Sequence, residues 1–110
     1  MGATETEFIL NIENELLPNN FALYQNQPNP FNPITTLRYD LPQNEMINIT
    51  IYDMKGRIIK TLVNSSQTAG HKTIQWNATN DKNKPVSAGL YLYRVQAGEF
   101  RQTRKMLLLK

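Results

Sequence analysis

"GLYLYRVQAGEFRQTRKMLLLK", residues 89–110, holds two alternating runs on either side of a tight break. In the first run Tyr91, Tyr93 and Val95 share one side, and Leu90, Leu92 and Arg94 the other. Both sides are apolar enough for a central strand with neighbours on each flank. In the second run Phe100, Met106 and Leu108 share a side. The link Gln96-Ala97-Gly98-Glu99 is short and carries a glycine, so residues 90–96 and 99–108 are expected to pair as an antiparallel hairpin.

The same period of two recurs upstream. "TTLRYDL" (35–41) sets Leu37, Tyr39 and Leu41 against Arg38 and Asp40, and "INITIYD" (47–53) sets Ile47, Ile49 and Ile51 against Asn48, Thr50 and Tyr52. "HKTIQWN" (71–77) sets Ile74 and Trp76 against Thr73 and Gln75. Turn signals stand between the runs at Pro42-Gln43-Asn44, Lys55-Gly56, Ala69-Gly70 and the polar stretch "NATNDKNKPVSAG" (77–89). The tight Met54-Lys55-Gly56 link predicts a second hairpin, 51–53 with 57–62. No window carries a sustained helical stripe. About seven short strands at this spacing, in roughly 100 residues, define an all-β chain, an Ig-like antiparallel β-sandwich.

Composition agrees. A chain of 110 residues with 40% hydrophobic content holds one domain with a real core and needs no metal or disulfide to staple it. Cysteine is absent, which removes thiol chemistry but leaves the compartment open. The net charge of +3 hides an asymmetry: residues 1–24 carry four glutamates and no base, while the rest carries 12 bases against five acids. These bases are scattered among strands, with no run of five and no helix to dock in a groove, so nucleic acid is not an expected partner. No stretch approaches the length of a membrane span, and "FILNI" (8–12) is too short and follows acids, unlike a signal peptide. "MGATET" fits a myristoylation pattern, but a start codon plus a cloning glycine explains it equally well. The chain therefore reads as a fragment of a longer protein, and if it belongs outside the cytoplasm its signal is expected upstream.

"QPNPFNP" (27–33) crowds Pro28, Pro30 and Pro33 around Phe31 and Asn32. Proline fixes φ, lacks an N–H and biases the preceding residue to extended backbone, so this segment is neither helix nor central strand. A stiff, extended lead-in along the sandwich edge is expected, with Phe31 packed inward and the asparagines capping turns. Such an edge resists unwanted strand addition and suits a surface that another molecule reads.

Catalytic arrangements are weak. His71 is the sole histidine, which excludes a metal site built on several His or Cys ligands. Ser87, His71 and Asp53 make a nucleophilic set only on paper, without a nucleophile elbow. Asp40 and Asp53 lie in different strands, and Asp81 with Asn83 offers too few carboxylates for calcium, so a turn is expected there. No enzyme activity and no cofactor are expected.

Five landmarks now stand in register: "PNPFNP" (28–33), "IYDMKGR" (51–57), "AGHKTIQW" (69–76), "SAGLYLY" (87–93) and the basic end "KMLLLK" (105–110). Residues 18–110 resemble the C-terminal type A sorting domain of the type IX secretion system, itself similar to the Ig-like domain of flagellar hook-capping proteins. Two departures are local: the family often has tyrosine at Gln27, and often an Asp-Gly pair where this chain has Asn77-Ala78. The resemblance implies targeting rather than chemistry. Such a domain folds in the periplasm and directs a cargo through an outer-membrane translocon. A sortase-like peptidase then usually removes it, leaving the cargo on the cell surface or secreted. Residues 1–17 would be an acidic linker from the cargo domain, with an edge strand through Phe8, Leu10 and Ile12 as an option. The expected partners are the translocon, the peptidase and the cargo, without membrane insertion. Carried over motif by motif, recognition falls on Asn29, Pro30, Phe31, Asn32 and Pro33, on Gly89, Tyr91 and Tyr93, and on Lys105 and Lys110.

Two other readings compete. A carbohydrate-binding accessory module would expose aromatics, with Tyr24, Tyr52, Trp76, Tyr91 and Tyr93 as candidates, although Trp76 and Tyr93 sit where core side chains are expected. A plain Ig-like spacer would share the hairpin and G-x-Y pattern but would not need the proline segment or the basic end.

Overall fold

The computed structural model describes residues 17–110. The edge strand considered for Phe8, Leu10 and Ile12 lies outside the described residues. Seven strands follow in order: β1 (Ala22–Leu23), β2 (Thr35–Leu41), β3 (Glu45–Asp53), β4 (Ile58–Gln67), β5 (Gly70–Trp76), β6 (Gly89–Ala97) and β7 (Phe100–Leu108). They build a three-stranded sheet, β1-β2-β5, and a four-stranded sheet, β4-β3-β6-β7, antiparallel throughout. This is an Ig-like sandwich in which β4 lies in the sheet of β3, β6 and β7.

The alternation read from the sequence fills the space between the sheets. Leu37, Tyr39 and Leu41 of β2 face Ile47, Ile49 and Ile51 of β3, Tyr91, Tyr93 and Val95 of β6, and Met106 and Leu108 of β7, all buried in one cluster with Trp76. Both hairpins form as expected. In the β6–β7 turn, Ala97 pairs with Phe100, leaving the two-residue loop Gly98-Glu99. Gly98 has φ +59°, and a Cβ there would stand 2.8 Å from a Glu45 carboxylate oxygen. In the β3–β4 turn, Asp53 Oδ1 accepts the N–H groups of Lys55 and Arg57, both at 2.9 Å, and Oδ2 accepts Arg57 Nε at 2.7 Å. Those bonds, that of the Arg57 amide foremost, hold the Asp53 carboxyl below the usual range.

Three features differ from the expectation. β4 continues through Asn64, Ser65 and Ser66 to Gln67, because ladder pairing with β3 rather than burial sustains it; Val63 is its one buried residue. The outer side of β6 is not core, for Leu90 is exposed and Leu92 half-buried. The lead-in is extended only as far as Gln27. There Gln27 and Thr36 exchange both backbone hydrogen bonds, at 3.0 and 2.8 Å, and residues 28–35 form a closed loop that bends at 28–30 and 32–33. The peptide bonds before Pro28, Pro30 and Pro33 are cis.

Candidate functional site

The proline loop and the last strand meet. Of the six residues in Pro28–Pro33, three lack an N–H, and only Phe31 joins a ladder: its N–H donates to Leu107 O (3.0 Å) and its carbonyl accepts from Leu109 N–H (2.9 Å). Asn29 Oδ1 accepts the N–H of Leu107 at 3.0 Å, so this asparagine caps a strand backbone rather than a turn. Above this junction Gln25 Nε2 donates to Lys105 O (2.7 Å), and Arg104 Nε donates to Leu23 O (2.6 Å). Residues 23–31 thus cover the outer edge of β7 from Arg104 onward, which would otherwise stand open to strand addition.

Phe31 enters the core as expected. Its ring centroid lies 5.8 Å from that of Trp76, which meets Tyr91 edge-on at 5.3 Å. The Trp76 indole N–H donates to Thr79 O at 2.9 Å. Tyr91 OH donates to Ser87 O, four residues upstream at 2.6 Å, the bond of a tyrosine corner. Tyr93 OH donates to Tyr24 O and accepts the N–H of Asn26, both at 2.8 Å, tying β6 to the lead-in. Burial is the main reason that both phenols ionise above their ordinary range. Gly89 faces Leu108 across the ladder with φ +145°. No atom stands within 4 Å of a Cβ built there, so the backbone conformation, not crowding, calls for glycine.

The ten residues singled out in the sequence fall into two groups, one exposed and one largely buried. Asn29, Pro30, Asn32, Pro33, Lys105 and Lys110 are exposed around the junction. Phe31, Tyr91 and Tyr93 are buried beneath it, and half-buried Gly89 sets the start of β6. Two further residues belong here that the sequence reading passed over. Asn26 is 1% exposed and donates through Nδ2 to Pro28 O and Thr35 Oγ1; Thr35, equally buried, donates to Pro28 O. They lock the loop from inside. A polar pair flanking a proline run was the only available signal.

The other candidate groupings disperse. His71 Nδ1 lies 2.7 Å from Asp40 Oδ1, whose second oxygen accepts from Tyr24 OH, while Asp53 is held by Arg57 and Ser87 by Tyr91. Asp81 Oδ1 accepts the N–H of Thr61, and Asn83 Oδ1 accepts from Lys60 Nζ, so both pin the 77–88 loop to β4. Among the five candidate sugar-stacking aromatics, Trp76, Tyr91 and Tyr93 are buried. The remaining two, Tyr24 and Tyr52, each have an arginine over the ring, at 5.3 and 5.1 Å.

Two antiparallel sheets joined through a tyrosine corner define an Ig-like sandwich domain. Within that class the chain belongs to the FlgD Ig-like domain family, whose profile matches residues 33–99. No curated protein sequence matches it significantly. Among solved structures it is similar to dimeric latent PorU from Porphyromonas gingivalis, with a TM-score of 0.66 and 19% identity over 84% of this chain. PorZ, an essential surface component of the type IX secretion system of the same organism, gives a TM-score of 0.54 and 17% identity over 84%. FlgD from P. aeruginosa gives 0.54 and 19% over 67%. The chain spans only 10% of PorU, 12% of PorZ and 57% of FlgD. These likenesses establish the fold.

Proposed function

We propose that residues 18–110 are a C-terminal sorting domain that carries a preceding cargo domain through the type IX outer-membrane translocon. In this reading a sortase-like peptidase then cuts the domain off, and the cargo ends at the cell surface or in the medium. The observation that carries the reading is the junction between the proline loop and β7. Residues 76 to 78 positions apart in sequence are locked together there, with Asn29, Pro30, Asn32, Pro33, Lys105 and Lys110 exposed around the seam. The likeness to PorZ supports the same system. In this reading the buried Phe31, Tyr91 and Tyr93 hold the edge, while the exposed residues meet the translocon or peptidase.

The family match itself favours a second reading, an Ig-like spacer within a larger secreted protein. A periplasmic reporter fused to the full chain, in a host with a type IX system, separates the two. A sorting domain exports the reporter, and truncation after Thr103 abolishes export. A spacer leaves it in the periplasm with or without the last strand, and that result would overturn the proposal.

A further inference from the structure

The outer face of the four-stranded sheet is divided along its length. Cross-strand partners share a face, so the register reads off its rows. One row runs Asn64–Asn48–Gln96–Arg101 and the next Thr61–Thr50–Arg94–Thr103, both polar. Then the chemistry changes: Ile58–Tyr52–Leu92–Lys105, followed by Leu90–Leu107. Ile58 is 61% exposed and Leu90 46%, and Tyr52, Leu92 and Leu107 are half-buried. Cations frame this apolar half. Arg94 lies over Tyr52 and donates to its hydroxyl at 2.7 Å, Lys105 ends one row, and Lys55 and Arg57 stand in the adjoining β3–β4 turn. The acid in that turn, Asp53, is already bonded to Arg57.

We infer that this half-face is the docking surface for an acid-rimmed aliphatic patch on the protein that receives the domain. The inference rests on the proposed sorting role and names the partner chemistry of that site, since the half-face adjoins the loop–β7 junction through Leu107 and Lys105. Charge chooses among occupants. A second copy would bring the same cations against these and is repelled. An acidic, aliphatic protein surface satisfies both the exposed leucine and isoleucine and the two lysines, Lys55 and Lys105, that pair with no acid among the described residues.

The test uses the full chain fused to the same reporter, with Ile58→Glu plus Leu90→Glu, Ile58→Lys plus Leu90→Lys, and a control pair, Thr73→Glu plus Gln75→Glu, on exposed β5. All are first shown to melt within a few degrees of the wild type. The glutamate pair is expected to lower export at least tenfold. The lysine pair, which keeps the sign of the face, lowers it markedly less, and the control exports normally. Normal export of the glutamate pair overturns the docking face while leaving the sorting role intact. Equal loss in both pairs overturns the acidic partner, and loss in the control overturns the face's specificity. Failure of the wild-type fusion to export overturns the parent reading instead. Flotation of the purified chain with phosphatidylglycerol vesicles, lost in the glutamate pair, would make the occupant a lipid and sink the protein partner.

Discussion

Ala78 sits at φ +60° with its methyl buried, a left-handed conformation that costs a non-glycine residue about 1 kcal/mol. It stands where the resembling family often has the glycine of an Asp-Gly pair. Ala78→Gly should therefore raise stability by up to about 1 kcal/mol in urea unfolding, the relief of strain exceeding the added chain entropy. Tyr93 makes the opposite prediction. Tyr93→Phe removes the acceptor of the Asn26 N–H inside the protein and should cost about 1–3 kcal/mol, the usual penalty for an orphaned buried donor. The phenols also set an alkaline limit. Burial raises Tyr39, Tyr91 and Tyr93 above the ordinary value near 10, so folding favours their neutral forms. That stability is fully present below pH 10 and is lost as pH rises through the folded values. Absorbance titration should show these phenols ionising later than free tyrosine, together with a falling melting temperature. Early titration of all five tyrosines would contradict their burial.

At the scale of elements, what was legible in the sequence tracks what burial enforces. β2, β3, β6 and β7 alternate because one side of each meets the opposing sheet, and a one-residue slip would turn every core side chain to water. The β3–β4 and β6–β7 turns were readable because Gly56 and Gly98 stand at positive φ. The polar end of β4 was not readable, since Asn64, Ser65 and Ser66 pair with β3 without entering the core. Two-residue β1 leaves no periodic trace. The proline segment was half legible: its missing donors ruled out helix and central strand, and Phe31 does point inward. Its closure by the Gln27–Thr36 pair depends on Asn26, Thr35 and Tyr93, residues that no local pattern connects. The candidate recognition residues come from three of the five motifs, 28–33, 87–93 and 105–110, and only the folded chain shows that the first and the last of these touch. Strand β7 carries the consequence. Ending the chain after Thr103 removes Met106 and Leu108 from the core and the partner backbone of Phe31, so circular dichroism should show loss of the cooperative fold rather than a frayed end.

Across the whole molecule, one core joins the two sheets, and unfolding should be a single transition. Trp76 fluorescence and far-UV circular dichroism should coincide, and Trp76→Ala should cost about 3–5 kcal/mol. The fold alone does not make a signal; in the proposed role its exposed basic end is read. Lys105→Glu with Lys110→Glu alters two exposed side chains and should change stability by no more than about 0.5 kcal/mol. Export of a reporter fused to that variant, measured beside its melting curve, tests the claim most directly. The melting temperature should stay close to wild type while the reporter is trapped in the periplasm, because the charges steer docking on an acidic receptor. Export at the wild-type rate would contradict that role.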